Sequence, residues 1–150
     1  MHAWRICLDF GTAYSKAAAC PVGADGEGVL TAVRALPIAA ASGEASRYLA
    51  PCAIFVAEDR VLFGGAALRS ARALADQNRA ALQSFKNMLG DAAALDGLSL
   101  PAPAEVDPAR RLTRRHLTVA YLAWLQVQVA AAFSRETLGA SWGEATLRIT

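Results

Sequence analysis

An acid, a glycine and a hydroxyl stand close together at Asp9, Gly11 and Thr12, with a second hydroxyl at Tyr14. Before and among them, Trp4, Ile6, Leu8 and Phe10 alternate with Arg5, Cys7 and Asp9. That is the period of a strand, so Asp9 falls at a strand's end and Gly11 in the turn that follows. The chemistry these types suit is phosphate and magnesium binding. A glycine lets backbone N–H groups approach phosphate oxygens closely. Thr12 and Tyr14 offer further donors from hydroxyl or main chain. Asp9 can hold a magnesium ion through water, because that ion keeps several of its waters. Taken alone, the same residues also describe a strand ending in an ordinary turn.

Further elements are needed to position such a loop. Residues 14–22 continue as apolar, alanine-rich chain up to Pro21 and the turn at 23–26, which predicts a hairpin with the 9–12 loop at its tip. Residues 29–38 alternate loosely and complete an antiparallel three-strand meander. A small, polar loop over 39–47 leads to a second predicted hairpin, residues 48–57 with 61–63, broken by Gly64-Gly65. Leu68, Ala71 and Leu74 mark a helix over 66–75. A short helix is predicted over 82–89, carrying Phe85, Lys86, Met88 and Leu89 and stopped by Gly90.

Residues 91–108, with Gly97, Pro101, Pro103 and Pro108, predict an exposed loop in which Leu95, Leu98 and Leu100 pack locally or pair as a weak hairpin. One long helix follows over 110–138, closed by Gly139, and residues 144–150 open another strand. Together these elements predict an α/β domain with a mixed sheet.

The chain has 150 residues and a net charge of +2, so one domain is expected and bulk electrostatics give no case for nucleic acid. Cys7, Cys20 and Cys52 show no metal-ligand spacing and no even disulfide framework, which points to a reducing compartment. No signal peptide is read at the N-terminus. Residues 117–133 are almost free of charge, yet Gln126 and Gln128 interrupt them and the stretch is shorter than the ~20 residues of a span. A buried helix is expected there, with no membrane partner. The string Asp9-Phe10-Gly11 matches the magnesium motif of protein kinases, but the glycine loop, lysine and H-R-D loop that must precede it are missing. A Walker A loop is also absent.

The order of strand, D-x-G-T turn, two more strands, helices and a long helix entering a strand is that of half a ribonuclease-H-like lobe. At this point ICLDFGTAYSKAAA resembles the first phosphate loop and hairpin of the heat-shock protein 70 chaperone family, within the actin-like ATPases. LAPCAIFV followed by DRVLFGGAALRSA is similar to that family's Pro-Ser strand and V-G-x-x-A helix start. SFKNMLG resembles its lysine-bearing segment, and EATLRIT the opening of its next strand.

The resemblance implies ATP or ADP and magnesium as cofactors and the cytoplasm as location. It implies that Asp9 organises magnesium, Thr12 lies against the γ-phosphate, and Lys86 positions the attacking water. Gly11, Ala13 and Tyr14 then complete the loop around the nucleotide. Residues 1–150 correspond to part of the first lobe, incomplete at the C-terminus. The second phosphate loop, adenosine pocket and peptide-binding domain correspond to sequence outside these residues. Weak ATP binding and little turnover are expected of the chain alone, because half a site loses most of its positioning power. Co-chaperones and unfolded polypeptide clients are the partners implied for the intact protein.

The sequence departs from the family at Ala13, where a second hydroxyl is usual, at Pro51-Cys52 in place of Pro-Ser, and over 90–108, as in a divergent bacterial-type member. Two other readings stay open: a sugar or metabolite kinase of the same superfamily, and a non-catalytic interaction module that kept the fold.

The remaining candidates have plainer readings. Lys86 is also a suitable helix-end cation before Gly90. His2 and His116 lack partners at catalytic or ligand spacing, and His116 is expected on a helix surface. Arg110, Arg111, Arg114 and Arg115 read as a solvated helix start. Tyr121, Trp124, Leu125 and Phe133 fall at helical spacings and are expected in the core. Trp142 is expected under the last loop. Cys7 is placed on the Asp9 side of its strand as a floor to the cleft, more consistent with an inert buried thiol than a reactive one.

Overall fold

The computed structural model describes residues 3–39, 46–89, 96–138 and 140–150. The expected alternation of the first strand is present in β1, Trp4–Phe10: Ile6, Leu8 and Phe10 are buried, whereas Arg5 and Cys7 face outward. Strand β2, Tyr14–Pro21, runs antiparallel to it from Trp4↔Pro21 to Phe10↔Ser15. Strand β3, Arg34–Leu36, extends the meander through Ala17↔Leu36. This third strand is shorter than the predicted 29–38. Val29, Leu30 and Val33 are exposed, so no burial holds that stretch in register, and Leu30–Ala32 forms a 3₁₀ turn instead.

The predicted strand over 48–57 is divided at Cys52. Strand β4, Ala50–Pro51, pairs with the start of β2, while β5, Ala53–Val56, enters a second sheet. Pro51 has no N–H to continue a ladder, and Cys52 turns its own N–H to the Ala13 carbonyl, 2.8 Å away. Strand β6, Val61–Phe63, pairs antiparallel with β5, as the second hairpin predicted.

Gly64-Gly65 does more than break that hairpin. Helix α1, Gly64–Ala73, begins there, entered through a positive φ of 61° at Gly64. A side chain at Gly64 would also press on the Trp124 ring, 3.0 Å from where a Cβ would stand.

The helix expected over 82–89 is not formed. Leu82–Gln83 is strand β7, paired with β5, so the second sheet runs β6-β5-β7. Ser84, at φ 54°, reverses the chain into a 3₁₀ turn over Phe85–Leu89. Leu82, Phe85 and Leu89 imitate helical spacing, but the long-range pairing with β5 takes Leu82 into the sheet. Gly90 and Leu95 lie outside the described residues.

Residues 96–108 are more than an exposed loop. Leu98, Ala102, Val106 and Asp107 are buried, and Pro101 bridges to Thr113. Asp107 Oδ2 accepts the Leu112 N–H at 2.8 Å and ties this stretch to the next helix.

Helix α2, Arg114–Glu136, starts later than predicted. Arg110 has a φ of 50°, which no continuous helix allows. Arg110 and Arg111 therefore precede the helix. Thr113 caps it: its hydroxyl accepts the His116 N–H while His116 Nδ1 accepts the Thr113 N–H, both at 3.2 Å. His116 is thus exposed, as expected, but acts as a cap. Gly139 lies outside the described residues.

The inner face of α2 buries Leu117, Tyr121, Leu125, Val129 and Phe133, while Trp124 is half-buried. By length and composition alone this helix is apolar enough to cross a membrane. Here that face packs into one core with Ile6 and Leu8 of β1 and Ile54 and Val56 of β5.

Trp142 meets the edge of Phe133, with ring centroids 6.2 Å apart. Strand β8, Ala145–Ile149, then lies parallel to β1 in register Trp4↔Ala145. The main sheet is therefore mixed, in the order β3-β2-β1-β8 with β4 on the flank of β2. The fold is α/β, with one mixed sheet, a small antiparallel sheet and two described α-helices.

Candidate functional site

The hairpin tip between β1 and β2 is Gly11-Thr12-Ala13, and its tightness comes from Gly11. A Cβ there would stand 2.2 Å from the Tyr14 carbonyl oxygen, closer than any side chain can be accommodated without moving the backbone. Thr12, Ala13 and Tyr14 are exposed around it. Among the described residues, the backbone N–H groups of Thr12 and Ala13 donate to no protein acceptor.

The loop's carbonyls, by contrast, are tied down by Cys52. Its thiol donates to the Gly11 carbonyl at 3.0 Å, and its N–H to that of Ala13. The buried Ser15 hydroxyl lies 3.2 Å from the same sulfur. The Tyr121 hydroxyl donates to the Pro51 carbonyl at 3.1 Å and stands 3.5 Å from the sulfur.

Beneath the tip is a group of rings. Tyr121 packs against Phe85 at 5.0 Å, Phe10 at 6.1 Å and Phe63 at 6.2 Å between centroids. These rings come from the 3₁₀ turn, β1 and β6, so α2 fixes the lysine-bearing turn against the end of β1 through Tyr121. As a result the Thr12 hydroxyl lies 3.4 Å from Asn87 Oδ1, although 75 positions separate them. Lys86, next to Asn87, carries its ammonium over the Phe10 ring at 5.5 Å. A cation there gains from the ring's negative face and keeps an open side toward solvent.

Thr12, Ala13, Tyr14 and Lys86 thus share one end of the molecule. Asp9 reaches that end from the other face of β1. Strand alternation turns its side chain away from the core, and Lys16 sits across from it in the β1–β2 pair with Nζ 3.4 Å from Oδ2. Both lie in a groove of about 270 Å³ that Cys7, Ala18, Ala35 and Tyr48 also line. Cys7 is exposed in it, contrary to the buried thiol expected, because the outer face of the sheet is not covered by the described residues. The Lys16 ammonium already stands against one oxygen of the Asp9 carboxylate. Among the described residues no group of three or more His, Cys, Asp and Glu side chains is placed to hold a metal ion, so any ion at Asp9 would rely on water and phosphate for its other ligands.

Sequence reasoning did not find Asn87, Ser15, Tyr121 or Cys52 as parts of this site. Asn87 and Tyr121 carry no local signal for it. Cys52 had one: it stands where the resembled family has the serine of Pro-Ser, a residue type that also hydrogen-bonds. A wider groove of about 690 Å³, bordered by Arg5, Arg148, Cys7 and Cys20, lies on the outer sheet face away from the loop tip.

No family model matches this chain, and no curated protein matches its sequence.

Proposed function

We propose that this chain supplies the first phosphate loop and the lysine of an ATP clamp of the heat-shock protein 70 type, within a ribonuclease-H-like lobe. One observation carries the reading. The two unspent N–H groups lie at the Gly11-pinched tip, and Thr12 there touches Asn87, the neighbour of Lys86, so backbone donors and a cation are close together, as a phosphate group needs. The antiparallel meander, and the parallel strand that follows the long helix, support the lobe assignment. In this reading Thr12 and Lys86 approach the γ-phosphate and Asp9 orients hydrated magnesium. ATP hydrolysis drives a conformational change in the intact cytoplasmic chaperone, with co-chaperones and unfolded polypeptides as partners.

The test is a titration of the ¹⁵N-labelled chain with Mg-ATP. Weak binding is expected, with amide shifts concentrated at Gly11 to Tyr14 and at Lys86, and with the response reduced in Asp9→Ala. Shifts scattered over the surface, or an Asp9→Ala chain that responds like wild type, would count against the reading.

The interaction-module reading is favoured by the Lys16–Asp9 ion pair, which already answers the carboxylate's charge. Lys16→Ala separates the two. It strengthens the magnesium-dependent part of the response if Asp9 orients the ion, and leaves it unchanged if Asp9 serves only its partner across the strand pair.

A further inference from the structure

Resting on that reading, we propose that Cys52 is the positioning residue of the phosphate loop, holding its carbonyls inward so that its N–H groups face the phosphate. In a trans peptide the N–H points opposite to the carbonyl of the same unit. Cys52 fixes two such units in the loop. Its thiol holds the Gly11 carbonyl at 3.0 Å, which turns the Thr12 N–H the other way. Its backbone N–H holds the Ala13 carbonyl at 2.8 Å, which anchors the other side of the tip. Without these bonds a glycine-containing turn can rotate its peptide planes at small cost, and a rotated plane presents an oxygen to the phosphate where a donor is required.

The thiol is itself held. Its hydrogen is committed to Gly11, so the Ser15 hydroxyl at 3.2 Å is the donor to the sulfur, and the Tyr121 oxygen, whose hydrogen goes to the Pro51 carbonyl, stands 3.5 Å away. Cys52 is 3% exposed, so water does not compete for these bonds. Tyr121 also fixes the Pro51 carbonyl next to it, which joins the strap to the same helix residue that packs on Phe85 beside Lys86. Loop and lysine are therefore aligned through one buried assembly. Sulfur is a weaker hydrogen-bonding atom than oxygen, so serine at this position is expected to keep the strap.

The experiment compares wild type, Cys52→Ala and Cys52→Ser by Mg-ATP titration of the ¹⁵N-labelled chain, with melting temperatures recorded for each. Cys52→Ala is expected to bind about fivefold more weakly, the size of one lost hydrogen bond, with an altered free-state shift at Thr12, whose peptide unit the thiol holds. Cys52→Ser is expected to restore both to wild-type values. A folded Cys52→Ala chain that binds as wild type overturns the proposal. If Cys52→Ala does not fold, Cys52→Ser decides: a folded serine variant with weakened binding overturns it, and wild-type binding supports it. A wild-type chain whose loop amides do not respond overturns the phosphate-loop reading and the strap's function with it. That result differs from the case in which wild type responds and the variants do not discriminate.

Discussion

Gly11 shows how one missing side chain shapes the hairpin tip. The Tyr14 carbonyl oxygen occupies the place a Cβ would take, at 2.2 Å. Gly11→Ala must therefore open the turn, at about 1–3 kcal/mol for displaced backbone. For a chain of this size that corresponds to a fall in melting temperature of roughly 3–10 °C, measurable by circular dichroism. An unchanged melting temperature would show that the turn has room the close approach denies. The glycine itself was legible in the sequence as a turn residue. That its role is close approach to Tyr14, and that its carbonyl is held by a cysteine 41 positions later, was not.

At the scale of elements, α2 supplies the common support. Its cap is local and was only partly legible: Thr113 is a good N-cap type, but histidine in place of the usual Glu or Gln hides the capping box. Thr113→Ala leaves the His116 N–H without its acceptor and is expected to cost about 1 kcal/mol, read as a lower midpoint in urea with the slope unchanged. A loss below a few tenths would mean that water replaces the cap. Alternation named β1 well because it buries one face and exposes the other; it also marked β8, although Ala145 and Leu147 are only half-buried there and Ile149 is exposed. It failed at β7 and at the division between β4 and β5. Two-residue strands have no period to read, and their existence depends on partners brought in from elsewhere.

For the whole molecule, the larger of two buried clusters joins the two sheets, while Ala53, Phe55 and Ala67 form a smaller one between the small sheet and α1. Ile6 and Leu8 from one sheet, Ile54 and Val56 from the other, and Leu125 and Phe133 from α2 belong to the same cluster. The faces the two sheets turn toward α2 depend on each other for cover, whereas the other face of the small sheet is covered by α1. The described parts are therefore expected to unfold together. Far-ultraviolet dichroism and tryptophan fluorescence should follow one curve in urea. Trp4 and Trp142 report on the Phe133 end of the core, and Trp124 on the Phe63 end. Two separated transitions would show that the small sheet melts on its own.

The sequence by itself determined the α/β class, the first hairpin with its Gly11 tip, the buried stripe of α2 and the strand that follows it. These depend on side-chain period and on conformational preferences that act within a few residues. Tertiary structure alone decided that Asn87 meets Thr12, that Asp9 faces Lys16 on the outer side of the sheet, and that Cys52 leaves its strand to hold the loop. Such contacts are fixed by how a shared core packs, because burying Phe10, Phe85 and Tyr121 together sets where their exposed neighbours must lie.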